Sequence, residues 1–174
     1  MVWLILELLA LAVLALLVYA YFKPNSFRIE RSITVNAAPE TVHAHLADFH
    51  KWMAWSPWEG MDPDMQRSYS GADSGIGAAY AWVGKKAGSG DMLITKSDPK
   101  SGIALNLNFT KPMKANNKTE ITLIPDGSGT SINWAMFGPQ PFIGRLMTTF
   151  FSMEKMVGKD FEKGLASLKS LSEK

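Results

Sequence analysis

Two hydrophobic patterns divide the chain. From Val2 to Phe22 every position except Glu7 is apolar or aromatic, whereas beyond Lys23 apolar residues return at intervals of two, three or four. At about 1.5 Å of rise per residue, an unbroken run of that length crosses the ~30 Å hydrocarbon layer of a bilayer as one helix. Tyr19, Tyr21 and Phe22 suit the membrane interface, and Lys23 with the helix-breaking Pro24 marks the stop. Residues 1–22 are therefore expected to be a transmembrane anchor, 23–26 a linker, and 27–172 one domain.

Within that domain Phe27, Ile29, Ile33 and Val35 share one face of a period-2 stretch, opposite Arg28, Glu30, Ser32 and Thr34, which predicts a half-buried strand over 27–36. Pro39 and Glu40 then suit the first turn of a short helix carrying Val42, Leu46 and Phe49. Six strands follow near 65–70, 77–83, 90–97, 102–110, 118–125 and 129–138, separated by Gly-, Asn- and Asp-rich turns. Ile103, Leu105, Leu107 and Phe109 give the clearest alternation. From Phe142 to Leu171, Ile143, Met147, Phe150, Met153, Val157, Phe161, Leu165 and Leu168 recur at three- and four-residue steps, predicting one long amphipathic helix. The fold class is thus α+β, with a seven-stranded curved antiparallel sheet around a long C-terminal helix.

The 174 residues allow a single domain with a real core. All 18 basic residues lie beyond the apolar run and Glu7 lies inside it, so the domain is only slightly more positive than the whole chain's +2, too mild for nucleic acid. With no cysteine there is no disulfide, thiolate nucleophile or Cys-type zinc site. His43, His45 and His50 lack accompanying carboxylates at ligand spacing, so solvent-facing histidines are expected and no metal. Ser56 and Ser152 have no elbow or base, and Asp62 and Asp64 read as residues that cap and solvate a turn. The glycines of 71–77 and 84–90 open no helix, so they read as hairpin turns and no cofactor is indicated.

Lys23, Arg28 and Arg31 follow the apolar run and no basic residue precedes it, which places the domain on the cytoplasmic side of a single-pass membrane protein. The alternative is an exported domain behind a signal-like segment, since Val18 and Ala20 have signal-peptidase spacing; the missing basic n-region and the length of the run favour the anchor. Glu7 lies close enough to the N-terminal end to snorkel.

The element order, together with Arg31-Ser32-Ile33, Ala38-Pro39-Glu40, Trp55-Ser56-Pro57-Trp58, Asp62-Pro63, Gly127-Ser128-Gly129-Thr130 and Asp160-Phe161-Glu162-Lys163-Gly164-Leu165, resembles the SRPBCC (START-like) superfamily over Phe27 to Leu171. The likeness is to its polyketide cyclase/dehydrase and lipid-transport branch, in the form with an N-terminal membrane anchor. The resemblance implies a helix-grip fold with a deep cavity between sheet and helix, used for lipids and other hydrophobic ligands. Its candidate lining is Trp52, Trp55 and Trp58 at one end, Tyr80, Trp82, Phe109, Trp134 and Met136 from the sheet, and Met147, Phe150 and Met153 from the helix. Glu59 and Tyr80 are the candidate polar groups for the end of a ligand. The expected partner is a hydrophobic small molecule or lipid, with the membrane held through residues 2–22. The alternatives are a cyclase/dehydrase-like enzyme using Tyr80 and Glu59, or a protein-interaction module akin to chaperone activators.

Overall fold

The alternation read along the chain becomes one sheet in the computed structural model, which describes residues 2–62 and 64–174; Pro63 of the Asp62-Pro63 pair lies outside them. The N-terminal run is helix α1, Val2–Phe22. After it come β1 (Ser26–Val35), α2 (Pro39–Leu46), a 3₁₀ segment (Phe49–Ala54), β2 (Gln66–Gly71), β3 (Ala78–Val83), β4 (Ser89–Asp98), β5 (Gly102–Lys111), β6 (Ala115–Asp126) and β7 (Gly129–Pro139). The helices α3 (Phe142–Phe150) and α4 (Met153–Ser172) close the chain. All strand pairs are antiparallel in the order β1-β7-β6-β5-β4-β3-β2, so the first strand lies against the last and the meander runs outward from there.

Strand limits follow the predicted ones closely, except that β6 begins at Ala115 and shortens the loop before it to Pro112–Lys114. Gly102 shows why one turn residue is fixed: its φ is +107°, and any Cβ there would collide with the Ile121 carbonyl of β6.

The C-terminal stretch departs from expectation. It is two helices, because Phe151 leaves helical conformation (φ −125°, ψ 131°) and the Ser152 side chain accepts from Lys155 N at 3.2 Å, starting α4 afresh. Of these two helices, α4 is the one gripped by the sheet. Its Phe161, Leu165 and Leu168 are at most 1% exposed, and at about 1.5–3 kcal/mol per side chain their burial contributes roughly 5–9 kcal/mol as an upper bound.

Two glycines set how closely α4 sits. A Cβ on Gly164 would meet Trp134 Cζ3 at 2.8 Å and Pro57 Cδ at 3.0 Å. Gly158 lies beneath the Arg31 guanidinium, which is forked between Glu154 and Glu162 at 2.7 Å each, one turn or so to either side. These ion pairs raise the Arg31 pKa further above its ordinary value. Arg31 thus occupies the inward face of β1 and clasps that edge strand to α4.

Side chains cap most of the C-terminal end of helix α2. Ala47 N donates to His43 O, Lys51 Nζ to Ala44 O, Trp55 Nε1 to His45 O and Trp52 Nε1 to Leu46 O. Capping therefore turns two indoles of the Trp-rich segment inward and fixes them there.

Candidate functional site: a cavity between sheet and helix

Between α4 and the concave face of the sheet lies a cavity of about 270 Å³. At ~30 Å³ per water molecule it has room for about nine water-sized groups, just below the usual range of small-molecule pockets. The sheet supplies Tyr80, Trp82, Met92, Leu105, Leu107, Phe109, Thr119, Trp134 and Met136; α4 supplies Val157 and Phe161. The 3₁₀ segment adds Trp52, and the stretch between it and β2 adds Ser56, Trp58, Glu59, Met61 and Met65, with Lys86 and Ala87 of the β3–β4 turn beside them.

Of the residues expected to line the cavity, the structure brings together Trp52, Trp58, Tyr80, Trp82, Phe109, Trp134 and Met136, with Glu59 among them. Trp55 stands behind this wall as core, 5.3 Å from the Trp134 ring and 4.7 Å from Trp52, because its indole is drawn to His45 O. Met147 and Phe150 do not line it: the break at Phe151 puts them on α3, where they are exposed. Met153 begins α4 outside the cavity, beside a second, open cleft of about 260 Å³ that it shares with Phe27, Ile29, Gln140, Thr148 and Phe151.

Sequence reading missed Met61, Met65, Met92, Leu105, Leu107, Thr119, Val157 and Phe161 as lining. Parity gave a usable signal for some of them: Leu105 and Leu107 share the Phe109 face, and Met92 is the cross-strand partner of Leu107. Nothing comparable marked the Met residues of the loop.

Two polar groups of the wall, Glu59 and Tyr80, are joined in a hydrogen-bonded chain with Arg67. The Tyr80 hydroxyl donates to Glu59 Oε1 at 2.7 Å, and Arg67 Nε donates to Glu59 Oε2 at 2.6 Å. Arg67 is held in turn by Met65 O (2.8 Å) and Glu59 O (3.1 Å). Glu59 and Tyr80 are buried, their side chain and residue only 8% and 5% exposed. Burial pushes the Tyr80 phenol well above its ordinary range and the bond to the Glu59 carboxylate pushes it further, so Tyr80 is a neutral donor. Glu59 raises the pKa of Arg67 and keeps it a fixed cation.

The other polar candidates serve the frame. Asp62 is buried, not solvated as its turn position suggested; it accepts from Lys86 N (2.8 Å) and Ala87 N (3.4 Å), which hold its pKa down and tie the loop to the β3–β4 turn. Asp64 is exposed. His43 and His45 are half-buried rather than solvent-facing, and burial lowers the pKa of both; His43 Nε2 lies 2.8 Å from Ser97 Oγ. His50 is exposed and stacks on Tyr69. Among the described residues no three of His, Asp and Glu gather as a metal-binding group.

The family model described as "Polyketide cyclase / dehydrase and lipid transport" matches residues 26–173, the whole of the sheet with α2, α3 and α4. The chain belongs to this family. Its fold is shared by protein CV1439 from Chromobacterium violaceum (18% identity, 87% of this chain and 99% of that one, TM-score 0.60). It is shared also by the Aha1 dimer from Colwellia psychrerythraea (15% identity, 84% and 96%, TM-score 0.59) and by DynU16, a protein in the dynemicin biosynthetic locus (12% identity, 85% and 47%, TM-score 0.58). No match was found among curated proteins.

Proposed function

We propose that the chain is a membrane-anchored carrier that holds an apolar small molecule or lipid between sheet and α4. The observation that carries this reading is the cavity itself: about 270 Å³ left open under walls of tryptophan, methionine and leucine that had every opportunity to close it. Residues 1–22 are the anchor, 23–26 the linker and 27–172 the binding domain, on the cytoplasmic side. Anchoring would hold the domain beside a solvent from which an apolar ligand can be drawn. Glu59 and Tyr80 meet the polar end of that ligand. Because Tyr80 and Arg67 already occupy both Glu59 oxygens, the arrangement favours holding a ligand over moving a proton.

The test is uptake by the full chain in detergent or nanodiscs. Native mass spectrometry should find a co-purified apolar molecule, and a pyrene-labelled fatty alcohol or fatty acid should bind. Leu107→Trp and Met92→Trp, each adding bulk to the cavity wall, should abolish uptake while the fold persists by circular dichroism. A protein that is reproducibly empty and ignores both probes, or whose uptake survives both fillings, would overturn the proposal.

A further inference from the structure

Helix α3 is built inside out for a helix on a water-soluble domain. None of its residues is buried, and its apolar stripe points away from the protein: Ile143, Met147 and Phe150, at steps of four and three, are 57%, 47% and 63% exposed, and Phe151 beyond them 60%. Its polar residues face inward instead. Arg145 Nη1 donates to Tyr21 O at 2.7 Å and to Lys23 O at 3.2 Å, and Thr148 Oγ1 accepts from Lys23 Nζ at 3.2 Å. Two more contacts tie the same region: Gln140 N donates to Asn25 O at 2.7 Å, and Arg145 lies over the Tyr21 ring.

We infer that α3 is a second membrane contact, an amphipathic helix lying in the lipid interface beside the end of α1. The inference rests on the proposal that α1 spans the bilayer, because that proposal fixes the height of everything tied to Tyr21–Lys23. The last turn of α1 carries Tyr19, Tyr21 and Phe22, the residue types that sit at headgroup level, and α3 is pinned to it. A helix at that depth with an outward apolar stripe buries the stripe in the boundary between headgroups and acyl chains. Composition agrees: from Pro139 to Met153 the only charge is Arg145, and there is no acid to be repelled by anionic lipid. The cleft shared by Phe27, Thr148, Phe151 and Met153 lies at the α3–α4 junction and would open onto the same lipid layer.

The absence of cysteine permits a direct test on the full chain. Single variants Met147→Cys, Lys163→Cys and Leu11→Cys, each carrying a nitroxide, are reconstituted in vesicles of phosphatidylcholine and phosphatidylglycerol. Collision with oxygen, enriched in lipid, is compared with collision with a water-soluble nickel chelate. The expected result is high oxygen and low nickel access at 147 and 11, and the reverse at 163. Nickel access at 147 with lipid access at 11 overturns this inference and leaves the anchor standing. Nickel access at 11 overturns both. Low access to either reagent at 147 means the stripe is covered by protein, such as a second copy, and also overturns it.

Discussion

Replacing Tyr80 by Phe isolates the polar chain in the cavity wall. The ring keeps its neighbours, Phe49, Tyr69 and Trp82 at centroid distances of 5.7, 5.4 and 6.0 Å, so the change is confined to one hydroxyl. That hydroxyl donates to a buried carboxylate, and hydrogen bonds to charged groups contribute about 1.5–3 kcal/mol. Arg67 remains on the other oxygen at 2.6 Å and limits the loss to the lower part of that range, about 1.5–2 kcal/mol. In a domain of this size each kcal/mol moves Tm by about 2–4 °C, so the midpoint should fall by about 3–8 °C. The assay is thermal unfolding of the solubilised full chain followed by near-ultraviolet circular dichroism, which reads the indole cluster. In a Glu59→Met background, where no carboxylate is left to receive the hydroxyl, Tyr80→Phe should cost little. A shift below about 1 °C in the parent, or equal shifts in the two backgrounds, would refute the reasoning.

Two glycines of α4 should respond differently to the same substitution. Gly164→Ala drives a methyl group into the Trp134 ring and Pro57, neither able to retreat, so its cost belongs to the upper part of the ~1–3 kcal/mol range and exceeds the ~1 kcal/mol gained in helix propensity; urea unfolding should show a net loss of about 1–2 kcal/mol. Gly158→Ala meets the Arg31 guanidinium, which can swing aside by loosening its pairs with the exposed Glu154 and Glu162, pairs that contribute little at a surface, so it should be milder; a larger loss there than at Gly164 would contradict the packing described. Acid should weaken the fold in two stages. His43 and His45 are lowered by burial from 6.5, and Asp62, Asp98 and Glu173 are lowered by backbone N–H donors from 3.8, 3.8 and 4.5. Each binds its proton less tightly in the folded chain, so its stabilisation is intact above the unfolded value and is lost as pH falls through the folded one. Urea midpoints should hold from neutrality to about pH 9, decline on acidification below about 6.5, and decline further below about 4; His43→Gln should reduce the first stage, the rest belonging to His45, and a constant midpoint down to about pH 5 would exclude it.

The sheet was legible because period 2 is a strong signal, as at Ile103, Leu105, Leu107 and Phe109, and the consecutive strands form the expected meander; that β1 lies against β7 was not written in the alternation. The helix break was not legible: the apolar steps from Ile143 through Phe150 and Met153 to Phe161 run without a gap, and only Ser152 hints at a new cap. That one feature misplaced Met147 and Phe150. Arg31 interrupts the alternation of β1, but its partners Glu154 and Glu162 flank Gly158 by four residues on each side, a spacing that fits one face of a helix. Trp55 failed as a lining residue because carbonyl capping decides where its indole goes, and capping geometry does not show in a three-residue repeat.

The grip of Arg145 on the carbonyls of Tyr21 and Lys23 ties the foot of the stalk to α3 at two points and restricts how freely the head can swivel on it. On the proposal that this stalk spans a lipid sheet, neighbouring copies would share a common altitude and differ chiefly in compass bearing. Exchange with them would then be a problem of collision in two dimensions, governed by azimuth rather than by reach.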